Sequence, residues 1–171
     1  MGMKNRIAIV TGGTRGIGKS IAVDLKKAGC KVIASYAGNE EAALAFKKET
    51  GIEVMRFDVA DFEQCQHAVR RIEAEIGTVE ILINNAGITR DGFMHKMGEE
   101  SWDAVVDTNL KSCFNMARAV IEGMRAKGYG RIINISSING QMGQMGQTNY
   151  AAAKAGVFGF TKSLARECAV K

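Results

Sequence analysis

The sequence predicts an α/β fold, a doubly wound parallel sheet. Two observations carry that expectation. Five short apolar runs alternate with longer amphipathic stretches along the 171 residues, an order that right-handed crossovers wind into one parallel sheet. The runs are continuously apolar instead of alternating, as strands covered on both faces must be.

Each element is read in order. Residues 6–11 (RIAIVT) form a buried strand, and 17–28 a helix stopped by Gly29. Residues 31–35 (KVIAS) are the second strand, and 40–49 the second helix, stopped by Gly51. The third strand is 53–57, followed by a helix over 62–76 that closes at Gly77. Glycine suits these stops because it takes the left-handed conformation that ends a helix. The fourth strand spans 80–83, a loop 84–98, and one long helix 100 to about 126. Residues 131–135 (RIINI) are the fifth strand, and a last helix runs from 148 to about 169. No repeat, low-complexity segment or linker interrupts the pattern, so a single domain over 1–171 is expected.

Composition excludes several classes. An apolar share of 46% and a charged share of 24% are those of a globular chain, not of a disordered, collagenous or coiled-coil one. No apolar run approaches the roughly 18 residues of a membrane span, the first ten residues are too short of apolar ones for a signal peptide, and Arg6 stands where a myristoylation signal wants Ser or Thr. The expected compartment is the cytoplasm. Cys30, Cys65, Cys113 and Cys168 show no C-x-x-C and no His at metal spacing, so no metal is expected and free buried thiols in a reducing compartment are. His67 and His95 read as surface or loop residues, and Met94, Met97 and Met142 as packing or pocket lining. The net charge of +5 comes as scattered doublets such as Lys26-Lys27 and Arg70-Arg71. Solvated helix faces explain these, whereas a nucleic-acid stripe would be clustered and interleaved with aromatics. A mild basic balance still favours a polyanionic ligand such as a nucleotide or coenzyme A.

In such a sheet, ligands bind beyond the carboxyl ends of the strands. After the first strand comes Thr11-Gly12-Gly13-Thr14-Arg15-Gly16-Ile17-Gly18-Lys19-Ser20. Glycines allow close backbone approach, and the following helix N-terminus attracts anions, so a phosphate site is expected. Two ligand readings compete. Gly13 to Ser20 formally matches the nucleoside-triphosphate pattern G-x-x-x-x-G-K-S, with Lys19 on phosphates and Ser20 on Mg²⁺. That reading also needs an apolar strand ending in Asp, and residues 54–58 (VMRFD) are a poor one. G-x-G-x-x-G fails, since Ile21 takes the third glycine position, and T-G-x-x-x-G-x-G remains.

Residues 11–18 resemble the cofactor loop of the short-chain dehydrogenases/reductases. Asp58-Val59 after the third strand, Asn84-Asn85-Ala86-Gly87 after the fourth, Asn109 in the long helix, Ser137, and Tyr150-x-x-x-Lys154 match the family in the same order. The resemblance covers essentially the whole chain. It implies a Rossmann-like sheet and hydride transfer between a nicotinamide and a carbonyl or alcohol. Gly12, Thr14, Arg15, Gly16 and Ile17 would hold the cofactor phosphates, Asp58 and Val59 the adenine, and Asn85, Ala86 and Gly87 the middle of the molecule. On this reading Lys19 is only an exposed helix residue.

The resemblance also implies the catalytic set Asn109, Ser137, Tyr150 and Lys154. A phenol has a pKa near 10 in water and is a poor acid at neutrality; a neighbouring ammonium stabilises its phenolate. Tyr150 would donate the proton, and Lys154, one helical turn on, would support it and hold the nicotinamide ribose. Ser137, favoured over Ser136, would hydrogen-bond the substrate oxygen as an oxyanion donor does. Asn109 would kink or hydrate its helix and anchor a water leading to Lys154.

Charge selects the cofactor. Enzymes that prefer NAD place an acid after the second strand. Here Ser35-Tyr36-Ala37-Gly38 stands there, with no acid until Glu40, and Arg15 is placed for a 2′-phosphate, so NADPH is expected. Within the family, residues 83–91 and 135–155 are similar to acetoacetyl-CoA reductases, which make (R)-3-hydroxybutyryl-CoA for polyhydroxybutyrate, with 3-oxoacyl-acyl-carrier-protein reductases next. Asp91, Gln144, Met145 and Gln147 would line the acyl pocket with Ser137 and Tyr150, and the glutamines suit a four-carbon acyl group.

The family normally continues past the catalytic helix with a sixth strand, a Pro-Gly motif, a helical lid and a seventh strand. These are missing from a chain ending at Lys171, which helps explain the absence of proline. The fifth strand is then expected as an exposed edge, and the two long helices as a homo-oligomer interface. The alternative is a nucleotide-binding protein without turnover.

Overall fold

The computed structural model describes residues 2–169; the expected domain limits, 1 and 171, lie outside them. Five parallel strands form one sheet: β1 (Ile7–Val10), β2 (Lys31–Tyr36), β3 (Glu53–Arg56), β4 (Ile81–Asn84) and β5 (Arg131–Asn134). Their order is β3-β2-β1-β4-β5. The chain winds outward from β1 to β3, then crosses back to the other side of β1. That reversal opens a crevice at the carboxyl ends of β1 and β4, where Val10 pairs with Ile83.

Side chains alternate across each strand, which accounts for the unbroken apolar runs. Ile9, Ile33 and Leu82 face a core with Val69 and Ile72 of α3 (Phe62–Glu75) and Met116 and Val120 of α5 (Ser112–Lys127). Val10, Ala34 and Ile83 face a second core with Ala22 of α1 (Gly16–Lys27) and Phe46 of α2 (Glu40–Thr50). The same strands therefore cement helices on both faces. Asn39 and Asp61 accept hydrogen bonds from Ala42 and Gln64 main-chain N–H groups and start α2 and α3. Gly51 and Gly128, at φ 62° and 63°, end α2 and α5 in the left-handed conformation.

Every expected strand and every expected helix but one exists, with ends moved by a residue or two. The expected unbroken helix over 100–126 does not. It is α4 (Glu99–Val106), a π turn (Asp107–Lys111) and α5, with Asn109 at the centre of the turn. Sequence periodicity does not register the one-residue widening of a π turn. A 3₁₀ turn (Met94–Lys96) and the short helix α6 (Asn139–Met142) are too brief to carry a periodic signal, and α7 (Thr148–Cys168) is the expected last helix.

Cys30, Cys65 and Cys113 are buried free thiols, whereas Cys168 is half-buried. Burial pushes the Cys65 thiol up to about 12. β5 is an edge strand on which Ile133 is 42% exposed. A groove lined by Met124, Tyr129, Ile132 and Leu164 runs beside it. No helix among the described residues is long and apolar enough to cross a membrane.

Candidate active site

The glycine loop leaves β1 at Thr11, a buried residue. The Thr11 hydroxyl donates to the Ile83 carbonyl and accepts from the N–H groups of Asn85 and Ala86, both at 3.0 Å. The Asn85 side chain donates to the carbonyls of Thr11 (2.9 Å) and Gly12 (3.2 Å). The turn after β4 is thereby laced to the turn after β1. Ser35, at the end of β2, supports the loop from the other side: its hydroxyl accepts from Gly12 N–H and its carbonyl from Gly13 N–H.

The residues fit a dinucleotide phosphate on three grounds. Gly12 and Gly16 sit at φ +60° and +53°, conformations a side chain rarely adopts. A Cβ on Gly18 would lie 2.4 Å from the Gly12 carbonyl oxygen, so glycine lets helix and loop touch. The N-terminus of α1 has no side-chain cap at Arg15, which leaves its first N–H groups for an anion. Thr14 is half-buried, and Arg15 and Ile17 are exposed beside that terminus. Lys19 is partly exposed and ion-paired to Glu49 at 2.7 Å. That pairing ties it to α2.

Asp58 and Val59 follow β3 at the same end of the sheet. Asp58 is exposed, and its carboxylate accepts from Ala60 N–H. Val59 is buried, and Asn115 of α5 donates its side-chain amide to the carbonyls of Val59 (2.9 Å) and Ala60 (3.2 Å). Sequence spacing does not single out Asn115, because a lone Asn in a helix carries no local signal.

Asn109 is buried in its π turn. Its amide donates to the carbonyls of Ile88 (2.9 Å) and Val105 (2.8 Å) and accepts from Ile88 N–H (3.3 Å). A Cβ on Gly87 would lie 2.5 Å from Asn109 Oδ1 and 3.8 Å from Lys154 Nζ. The final glycine of N-N-A-G thus makes room for Asn109 beside Lys154.

Tyr150 and Lys154 occupy the first turns of α7, the Lys154 ammonium 5.8 Å from the Tyr150 ring centroid. Lys154 is 5% exposed and donates to the Ile135 carbonyl at 2.7 Å. Burial holds its ammonium below the ordinary lysine value. The two serines have different partners. Ser136 donates its hydroxyl to the Lys154 carbonyl (2.8 Å), a structural use. The Ser137 oxygen accepts from Asn139 N–H (3.2 Å), which leaves its proton free to donate.

Two loops face each other over this set. Gln147 donates to Asp91 at 3.0 Å, and Gly92 N–H to the Gly146 carbonyl at 2.8 Å. Gln144 and Met145 are exposed, Met145 at 79%. Buried Asn149, likewise unmarked by its neighbours in sequence, donates to the carbonyls of Arg90 and Ser101 and anchors the start of α7. His67 and His95 are exposed.

The family model described as short chain dehydrogenase matches residues 6–171. The chain belongs to the short-chain dehydrogenase family. It is 57% identical over 167 residues to the acetoacetyl-CoA reductase of Shinella zoogloeoides, covering 98% of this chain and 69% of that protein. It is 58% identical, with the same coverage, to the acetoacetyl-CoA reductase of Rhizobium meliloti (strain 1021). A 3-oxoacyl-[acyl-carrier-protein] reductase of Vibrio cholerae is 48% identical over 171 residues, 99% of this chain and 70% of that protein. As a short-chain dehydrogenase, the chain is an oxidoreductase that works with a nicotinamide cofactor.

Proposed function

We propose that this short-chain dehydrogenase is an NADPH-dependent reductase of short 3-oxoacyl thioesters, converting acetoacetyl-CoA to (R)-3-hydroxybutyryl-CoA. The meeting of Tyr150 and Lys154 on one helix, with Lys154 beside Asn109 and Gly87, carries the reading; Ser137 follows Ser136, which bonds the Lys154 carbonyl. The identity with acetoacetyl-CoA reductases supplies the substrate. The bound cofactor supplies the hydride for the carbonyl carbon. Tyr150 gives its phenolic proton to the carbonyl oxygen, and Ser137 donates a hydrogen bond to that oxygen as negative charge develops. The buried Lys154 ammonium favours the phenolate left on Tyr150 and holds the nicotinamide ribose. Asn109 shapes the turn through which a water reaches Lys154.

The glycine loop, Asp58-Val59 and Asn85–Ala86–Gly87 take the adenosine and phosphates. Arg15 at the start of α1, with no acid between Ser35 and Gly38, favours the 2′-phosphate. NADPH is expected to bind more tightly than NADH, and Arg15→Ala to remove most of that preference. An Arg–phosphate contact contributes about 1.5–3 kcal/mol, roughly ten- to a hundredfold in Kd. Fluorescence titrations of both cofactors decide it, and equal wild-type affinities exclude the assignment.

The reduction itself is tested by acetoacetyl-CoA-dependent loss of NADPH absorbance. Specificity constants over a series of chain lengths are expected to be highest at four carbons. A maximum at eight or more would move the protein to 3-oxoacyl-acyl-carrier-protein reduction. NADPH binding without turnover would leave only the nucleotide-binding role. The described residues make a single dinucleotide-binding and catalytic domain. Exposed Phe114 on α5, stacked on Phe62 at 6.0 Å, supports homo-oligomeric assembly through the long helices. Sedimentation mass reads that assembly, and a monomer would refute it.

A further inference from the structure

We infer that Asn139 is a positioning residue, which sets Ser137 through a hydrogen-bonded chain of fixed polarity running from Asp91 through Gln147. The role rests on the proposed reduction. Gln147 Nε2 donates to Asp91 at 3.0 Å, and Asn139 Nδ2 donates to Gln147 Oε1 at 2.9 Å. The main-chain N–H of Asn139 then donates to Ser137 Oγ at 3.2 Å.

The direction of this chain is dictated by its end. An ionised carboxylate only accepts, so Gln147 must turn its NH₂ toward Asp91 and its carbonyl toward Asn139. Asn139 must in turn present its NH₂. No member can flip without setting two acceptors or two donors against each other. Asn139 opens the four-residue helix α6. That helix is held on its other side by α7: a Cβ on Gly140 would lie 2.7 Å from the Lys154 carbonyl carbon. The Asn139 main chain is therefore fixed between the Asp91 loop and the segment that carries Lys154. With one of its two lone pairs taken by Asn139 N–H, the Ser137 hydroxyl keeps its proton to donate to a substrate oxygen. Asn139 touches neither the reacting atoms nor the cofactor in this scheme. It acts through Ser137.

Fixed polarity gives a test that a merely structural amide would not pass. Asn139→Asp puts a carboxylate at both ends of Gln147, so one of them faces its carbonyl oxygen. Combined with Asp91→Asn, the same change restores the chain with both side-chain bonds reversed and the main-chain bond to Ser137 unchanged: the new amide at 91 donates to Gln147, whose NH₂ donates to the new carboxylate at 139. Turnover of acetoacetyl-CoA, the Kd of NADPH and the melting temperature are measured on the full chain for wild type, Asn139→Ala, Asn139→Asp, Asp91→Asn and the double variant. Asn139→Asp is expected to lower kcat about tenfold, equivalent to ~1.4 kcal/mol in the barrier, with the NADPH Kd changed far less. Asn139→Ala loses somewhat less, and Asp91→Asn, which keeps one acceptor, loses part. The double variant is expected to regain most of the kcat lost in Asn139→Asp, and about 2–4 °C of its melting temperature.

A double variant no better than Asn139→Asp in both readouts overturns the chain. Recovery of melting temperature without recovery of kcat, in an enzyme that turns over, overturns the positioning role. Recovery of melting temperature in a protein that never reduces acetoacetyl-CoA overturns the functional reading instead and leaves the polarity of the chain established.

Discussion

Tyr150→Phe is expected to lower kcat for acetoacetyl-CoA reduction by about 10²–10⁴, the contribution of a positioned general acid, while NADPH binding stays close to wild type. The separation follows from where Tyr150 is held. Its main-chain N–H donates to the Asn149 side chain at 2.8 Å, and Asn149 is fixed to Arg90 and Ser101. A phenylalanine keeps that backbone and the half-buried ring, and loses only the hydroxyl. The residues proposed to take the adenosine and phosphates lie on other elements, beyond β1, β3 and β4. Stopped-flow turnover and a cofactor titration on the same preparation measure the two effects. Near-normal turnover in this variant would show that another group delivers the proton.

Lys154→Met is expected to abolish turnover and weaken cofactor binding together, because in the proposed mechanism the ammonium serves both the phenol and the ribose. Its effect on stability runs the other way. Lys154 is 5% exposed, with the Ile135 carbonyl as its hydrogen-bond acceptor. A buried ammonium without a carboxylate costs stability, and a methionine of similar length removes that cost. Desolvation lowers the folded pKa below the usual 10.5. Between those two values the unfolded chain binds more protons than the folded one, so stability rises with pH across that window. Below the folded pKa the cost is present in full. The Met variant is therefore expected to match or exceed wild-type stability at pH 7, by an amount that shrinks toward pH 10.5. Cys65, whose raised value makes stability fall above about pH 9, is common to both proteins and cancels in the difference; Cys113, raised by burial and pulled down by the Lys154 ammonium, does not, and loss of that ammonium raises its thiol further and adds to the shrinkage. Denaturant unfolding at several pH values reads that difference, and parallel curves would contradict it.

Both expectations concern residues that local spacing makes legible, whereas Asn115, Asn139 and Asn149 are not. Tyr150 and Lys154 lie one turn apart on one helix, and the glycines of the first loop fall within eight positions of each other. The order of neighbouring residues records such groups directly. The three asparagines make their decisive bonds to main-chain or side-chain atoms 8 to 59 positions away, and nothing near them in sequence marks the partner.

The sequence by itself determined the number and kind of the strands and all the main helices but the fourth, because periodicity and glycine stops act over a few neighbours. It also determined the composition of the cofactor loop. Only the tertiary structure decided the rest. The strand order brought Asn85 against Thr11, 74 positions away. Packing beside Gly87 placed Asn109 in a π turn and broke an apparently continuous helix. The pairing of Lys19 with Glu49, 30 positions away, ties α1 to α2. Ser136 and Ser137 are adjacent and chemically identical, and their roles separate only because the Lys154 carbonyl lies within reach of one and the Asn139 N–H within reach of the other. A hydroxyl's function depends on which donor or acceptor meets it, and those partners are brought together by chain folding over long separations.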